Sequence, residues 1–401
     1  MSPPRPVTAV ILSGGGARAA YQVGALRAIA HIAGRKARMP FPVVCGTSAG
    51  AINATLLAVN ADDFRRGVAR LTRWWRRVTV GDIYHGDLTT LARHSARFLA
   101  SVLTGGAVPA KVASMFDNAP LTDLLARELE FEKLEHRIDA GHLRALSINA
   151  TSYTTGHAVT YYQGAPDLKP WQRLRRRGQP AVLGTEHLMA STAIPFVFPA
   201  GRIDEDYFMD GSVRQIAPLS PALHLGATRI VVLAVGQFSG QSPARSAGRN
   251  GDGEPPQYPS FAQVAGHALS SVFLDNMGAD IERLTQYNRL IDRLPENARE
   301  VNGFPARHVD VFVLSPSRDV ASLALQFVDN LPGAVRAVLR GFGSTHGTGA
   351  NLTSYLLFDR GFCRALLALG FEDAMARRDE LEAFLSGDSA NFLPLPQRDR
   401  D

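Results

Sequence analysis

The sequence predicts an α/β protein built on a mostly parallel sheet covered on both faces by helices. Three observations predict it. Two short apolar runs, residues 7–12 and 41–45, are each cut off by a glycine-containing turn and followed at once by an alanine-rich helical stretch. Strand, tight turn and helix in that order open a βαβ unit. Further runs rich in β-branched residues, notably 229–235 and 309–314, alternate with helical stretches downstream. Apolar runs without strict alternation are the pattern of strands buried on both faces.

The elements follow in order. Residues 7–12 form a buried strand, broken at Gly14-Gly15-Gly16, and residues 17–32 form a helix that includes Tyr21, Leu26 and Ile29. Residues 41–45 form the second strand; Gly46-Thr47-Ser48-Ala49-Gly50 turns directly into a helix over 51–59. Residues 62–135 read as mainly helical, interrupted by glycine and proline at 105–109. Strands are expected at 143–151 and 157–162, a short helix at 186–192 ending before Pro195, and a brief strand at 206–209 ending in Asp210-Gly211. After the core strand 229–235, residues 239–259 are rich in Gly, Ser, Pro, Arg and Gln and read as a mobile loop. Residues 261–294 form a long amphipathic helix, and 309–314 a strand returning to the same sheet. The expected organisation is a catalytic core over 1–238, the loop 239–259, a region 260–388 packed on the core, and a loose tail 389–401.

Composition narrows the class. Of 401 residues, 45% are hydrophobic and 20% charged, which excludes wholesale disorder. No apolar run reaches the ~18 residues of a membrane-spanning helix, and the opening Met1-Ser-Pro-Pro-Arg-Pro lacks the apolar stretch of a secretion signal. Two cysteines, Cys45 and Cys363, exclude a disulfide framework and a four-thiolate zinc site. The expected location is a reducing cytoplasm, with peripheral contact at a membrane face as the further option. Only four of the 43 basic residues are lysines, so the net charge of +6 reads first as an arginine-biased composition. Two arginine clusters stand out, one running from Arg65 to Arg77 around Trp74 and Trp75, the other comprising Arg173, Arg175, Arg176 and Arg177. The first carries an expectation of modest attraction to anionic membranes, with the tryptophans at headgroup level or, alternatively, turned into the core. No zinc-finger or RNA-recognition pattern accompanies either cluster, so no nucleic-acid partner is expected.

The two glycine turns carry the chemistry. Residues 46–50 fit Gly-x-Ser-x-Gly between a strand and a helix, the context of a nucleophile elbow. Gly46 and Gly50 keep the turn free of clashes, and Ser48 lies at a helix N-terminus that favours developing negative charge. A small-residue turn without chemistry is the plain alternative. The Gly14–Gly16 loop has two functional readings. Gly14-x-Gly16-x-x-Ala19 matches a loose dinucleotide fingerprint, but the second strand lacks the acidic residue that this use requires. The other reading is an oxyanion hole, with backbone N–H groups aimed at a tetrahedral intermediate. An ordinary α/β-hydrolase triad would need a later histidine. His224, His267, His308 and His346 all follow Asp210, and none sits in a glycine-rich or strand-end setting.

Gly14-Gly15-Gly16-Ala17-Arg18, Gly46-Thr47-Ser48-Ala49-Gly50 and Asp210-Gly211, in this order, resemble the motifs of the patatin-like phospholipase family. The stretch from Ala190 through Ser191 and Pro195 to Pro199 is similar to that family's segment ahead of its aspartate. The resemblance spans about 7–235. It implies a three-layer α/β/α fold and lipid acyl hydrolase activity without metal or cofactor. It also implies a Ser–Asp dyad, with Ser48 as nucleophile, Asp210 as proton acceptor and Gly14, Gly15 and Gly16 as the oxyanion loop. Arg18, Gly46, Gly50 and Gly211 match supporting motif positions. Ala19 stands where the family usually has glycine, and Ser212 follows Gly211 where Gly or Ala is usual. Acyl transfer through the same acyl-enzyme, a nucleotide-binding or regulatory role for the glycine loop, and a catalytically inactive lipid-binding module are the competing functions.

Overall fold

The computed structural model describes residues 6–34, 38–87, 114–237, 276–295, 300–301, 304–305, 307–341 and 350–387. The expected loop 239–259, the break at 105–109, the first part of the helix expected over 261–294, His267, His346 and the tail 389–401 lie outside the described residues.

Among the described residues the chain folds around a ten-stranded sheet. Its strands are β1 (Thr8–Leu12), β2 (Val43–Thr47), β3 (Ala145–Ser152), β4 (Ala158–Gly164), β5 (Trp171–Arg173), β6 (Arg176–Pro180), β7 (Gly201–Ile203), β8 (Asp206–Asp210), β9 (Arg229–Leu233) and β10 (Asp310–Leu314). The order β10-β9-β1-β2-β3 is parallel throughout, and β4, β6 and β5 extend it from β3. The apolar run at 229–235 thus lies beside β1, and that at 309–314 beside β9, in the same sheet as the returning-strand reading required. The hairpin β5–β6 and the short β7 had no apolar run to announce them; β5 and β6 carry Gln172, Arg173, Arg176, Arg177 and Gln179.

Each parallel strand divides its side chains between two cores, because successive residues point to opposite faces. Val10 and Leu12 of β1 pack on one face with Val44, Leu146, Ile148, Val231 and Leu233. Helices α1 (Ala20–Ile32), α2 (Ala49–Ala58), α3 (Phe64–Trp75) and the helix Arg360–Ala376 cover that face. Ala9 and Ile11 join Val43, Cys45, Ile230, Val232, Val311 and Val313 on the other, beneath Met277, Ile281 and Leu284 of the helix Asn276–Arg293. That helix is tied to the strand side by Asn288, whose Nδ2 donates to Val309 O (2.8 Å) and whose Oδ1 accepts from Val309 N–H (3.1 Å).

The C-terminal helix Arg360–Ala376 packs on α1 through two glycines. A methyl group at Gly24 would overlap the carbonyl of Leu367, and one at Gly370 would overlap the carbonyl of Tyr21. The two backbones are therefore in contact. The Tyr21 hydroxyl donates to Asp373 (3.0 Å) at the end of this contact. A side chain here must push the helices apart, and overpacking a filled core costs about 1–3 kcal/mol or more. Gly24→Val should lower the stability by about that amount, read as a lower urea midpoint at unchanged slope.

Candidate active site

Register brings the two expected reacting residues together. β2 runs parallel to β3 and pairs with its first half, ending with Thr47 opposite Asn149. β8 runs antiparallel to β3 and pairs with its last residues, ending with Asp210 opposite Ala150. Asn149 and Ala150 are neighbours, so the C-terminal ends of β2 and β8 meet head-on along one side of β3. The chain leaves β2 at Ser48 and β8 at Gly211, so both turns open at the same point. A methyl at Gly211 would overlap Asn149 O.

Ser48 has φ 56° and ψ −133°, a left-handed backbone that a serine adopts only when its surroundings impose it. The surroundings are visible. A side chain on Gly50 would overlap the carbonyls of Leu12 and Ser13, and one on Gly46 would overlap Ala51 Cα. The elbow is thus wedged against the end of β1. Ser191, on the helix Thr185–Ser191, bridges elbow and sheet: its Oγ accepts from Ser48 N–H (2.9 Å) and donates to Asn149 O (2.6 Å). Asn149 Nδ2 donates to Gly46 O (3.2 Å) and to Thr47 Oγ1 (3.0 Å), fixing the same turn from the side.

Asp210 is 1% exposed. Its Oδ1 accepts from Ser212 N–H (2.8 Å), while Oδ2 is buried without a formed hydrogen bond among the described residues. Burial pushes its carboxyl up to about 6; the Ser48 side chain, Ser212 N–H and the Ser212 side chain oppose that rise. The register of β2 and β8 on β3 is what sets the Ser48 turn next to this carboxyl. No histidine is hydrogen-bonded to Ser48 among the described residues. His224 bonds to Ser220 and stacks on Trp171, and His308 meets Asp292 and Asp310.

The glycine loop follows β1, and Gly14, Gly15 and Gly16 are all buried. Gly16 has φ +53°, and a methyl there would overlap the Tyr355 carbonyl; one on Gly15 would strike Val235. Gly16 and Ser48 line one cavity of about 30 Å³, whose other walls include Ile52, Ile194, Tyr355 and Phe358. The lining is apolar, which does not suit a phosphate group. Among the described residues no three His, Cys, Asp or Glu side chains converge as a metal site needs.

Arg18, a sequence-level motif residue, is 3% exposed and reaches the C-terminal half of the chain. Its Nε donates to Ser354 Oγ (2.8 Å) and its Nη2 to Asn351 Oδ1 (2.9 Å), and its guanidinium lies 4.1 Å from the Tyr355 ring centre. Arg18 thereby holds the helix Ala350–Leu356 as a wall of the cavity. No motif marked residues 350–358; their aromatic content was the one available signal.

Of the two expectations for Trp74 and Trp75, the structure bears out the inward one and overturns the placement at headgroup level. The two side chains are 8% and 0% exposed, so neither sits at headgroup level. Both line the cavity, and Trp75 Nε1 donates to Asn53 Oδ1 (2.7 Å) while Asn53 Nδ2 donates to Ala19 O and Gln22 Oε1. The period of α3 decides this: its apolar face is turned inward and Arg65, Arg66 and Arg73 outward. Among the described residues no helix is long and apolar enough to cross a membrane.

The carboxyl of Asp210 bears on stability. Its folded value of about 6 lies above the ordinary 3.8. Between those values the native state holds a proton that the unfolded chain releases, so stability falls as pH rises from 4 to 6 and stays lower above. Two units correspond to about 3 kcal/mol. Asp210→Asn should raise the Tm at pH 8 and leave it nearly unchanged at pH 4, as read by thermal melts.

A family model described as patatin-like phospholipase matches residues 10–223. Among solved structures, the chain is similar to the crystal structure of VipD from Legionella pneumophila. The identity is 13% and the TM-score 0.34, over 94% of this chain and 67% of that one. No curated protein matches the chain by sequence.

Proposed function

Belonging as it does to the patatin-like phospholipase family, whose model covers just over half its length, the chain is, we propose, a serine lipid acyl hydrolase working through a Ser48–Asp210 dyad. The observation that carries the reading is the strained Ser48 elbow, on the wall of an apolar cavity, at the point where the ends of β2 and β8 meet and the buried Asp210 leaves the sheet.

The geometry supports the following steps. The ester carbonyl lies over Ser48, with the first carbons of the acyl chain against Ile52, Ile194 and Phe358. Asp210, ionised above about pH 6, accepts the Ser48 proton as Oγ attacks the carbonyl carbon. Backbone N–H groups of Gly14–Gly16 take the oxyanion, at no reorganisation cost because the loop is already packed. The tetrahedral intermediate collapses, the alcohol leaves with the proton, and an acyl-enzyme remains. Water, deprotonated by the same Asp210, releases the fatty acid. Burial serves the base here. A free aspartate, with a pKa near 3.9, holds its proton too weakly to work well at neutral pH, whereas the dry site brings Asp210 closer to the working range.

A serine-directed fluorophosphonate should label the protein at Ser48, and Ser48→Ala should lose both labelling and hydrolysis of a fatty acyl ester while melting as the wild type does. Asp210→Asn should lose nearly all activity, because an amide cannot accept the proton, and wild-type kcat/KM should rise with pH through about 6 to a plateau. Activity retained in either variant, with contamination excluded, overturns the dyad. Gly15→Val should slow turnover by roughly 10²–10³, the cost of losing one oxyanion donor elsewhere. A variant as fast as wild type would remove the loop from the mechanism.

A further inference from the structure

The chemistry above leaves one feature of the sheet unused. Exposed apolar side chains collect along the edge on which Ser48 opens, among arginines. β3 continues past the end of β2 to Ser152, and its neighbours follow: Thr151 lies opposite Ala158 of β4, and Ala158 opposite Arg176 of β6. The β5–β6 hairpin therefore carries its tip, Leu174, to the Ser48 edge, three strand spacings or roughly 14 Å from β2. Leu174 is 89% exposed, where turn tips are ordinarily polar. Arg173 and Arg175 flank it, Arg175 in the left-handed region at φ +57°, and Arg176 follows. Tyr153 and Tyr207, joined by a backbone hydrogen bond of 2.9 Å, are half exposed just beyond Ser152. Phe196, 71% exposed and at φ +67°, stands between the cavity-lining Ile194 and Phe198. It belongs to the loop whose Ala193 carbonyl accepts from Asp210 N–H (2.8 Å).

Single exposed apolar residues need no explanation. A set that shares one edge with the cavity, includes Phe196 on left-handed backbone, and is framed by arginines does. The β7–β8 turn at this edge carries Asp204, Glu205 and Asp206, of which Asp206 is engaged by the hydroxyls of Ser152 and Thr154 and Glu205 by Arg202, while Asp204 is exposed; Asp280 acts on Arg176 from the helix Asn276–Arg293. Arg173, Arg175 and Arg176 make no ion pair among the described residues. The other arginine-rich stretch, α3, offers no inserting side chain, and its Arg66 and Arg70 pair with Asp62 and Glu130.

We propose that this edge is the face by which the protein docks on anionic lipid bilayers, with Leu174 and Phe196 entering the boundary of the acyl chains and the hairpin arginines meeting the headgroup phosphates. The docking rests on the lipid acyl hydrolase reading, since it sets the cavity opening against the layer that holds the substrate. Basic residues near an anionic surface add to one another, and an inserted apolar side chain adds a contribution that salt does not screen.

Co-sedimentation with phosphatidylcholine vesicles, with and without 30 mol% phosphatidylglycerol, tests it on the full chain, alongside hydrolysis of a water-soluble short-chain ester. Wild type should bind the anionic vesicles at least tenfold more tightly than the neutral ones. Leu174→Asp and the double variant Arg173→Glu/Arg175→Glu should each weaken binding about tenfold and leave soluble-ester hydrolysis unchanged. The control Arg73→Glu/Arg76→Glu on α3 should change binding less than twofold. No vesicle binding by wild type, equal binding to both vesicles, hairpin variants that bind as wild type does, or a control loss as large as theirs would each overturn the proposal. So would a dimer in solution that Leu174→Asp dissolves, which would assign the edge to a second copy instead. If the expected vesicle pattern appears while the soluble ester is not hydrolysed, the docking face stands and the hydrolase reading falls.

Discussion

The head-on meeting of β2 and β8 against β3 is the constraint on which the rest of the site depends. One strand pairs with β3 in parallel and stops at Asn149; the other pairs in antiparallel sense and stops at Ala150. Hydrogen bonding to a shared neighbour fixes both ends to within a residue. A slip of one residue in either strand would also turn its side chains to the wrong face of the sheet. The relation between Ser48 and Asp210, far apart in sequence, is therefore set by backbone register, and side-chain contacts only refine it.

Small residues let the other parts approach that point. Gly50 admits the end of β1, Gly16 admits the Tyr355 carbonyl, and Gly24 with Gly370 lets the C-terminal helix lie directly on α1. Polar side chains then hold the approach in place. Asn53 connects α2, the turn at Ala19, α1 and Trp75, and Arg18 connects the glycine loop to the helix Ala350–Leu356. Each is buried and hydrogen-bonded, so loss of one partner would leave another buried group unsatisfied, at about 1–3 kcal/mol. The same contacts that stabilise the fold give the cavity its walls.

Two features of the site oppose stability. Left-handed backbone at a residue such as Ser48 costs on the order of 1–3 kcal/mol, and an ionised Asp210 in a dry setting costs a similar amount. Both persist because the extensive cores on the two faces of the sheet hold the surrounding elements rigidly. A relaxed elbow or a solvated carboxylate would be the more stable arrangement locally.

The sequence by itself determined the strand–turn–helix units, the parallel order implied by alternating strands and helices, and the identity of the two glycine turns. These features are local: apolar runs, glycines and helix-forming stretches act over a few residues, so their pattern is legible without a partner. Asp210 stood out through its Asp-Gly turn and its place in a resemblance. Only the tertiary structure decided that Trp74 and Trp75 face a cavity, that Arg18 anchors residues near 350, that Ser191 ties the elbow to β3, and that an arginine-framed leucine shares the Ser48 edge. The β5–β6 hairpin is not legible in the sequence because it forms by pairing with β4 and its strands carry no apolar run. Contacts such as Arg18 to Ser354 span more than 300 residues, and nothing within either segment encodes the other. They exist because the sheet and α1 bring the two segments to one place.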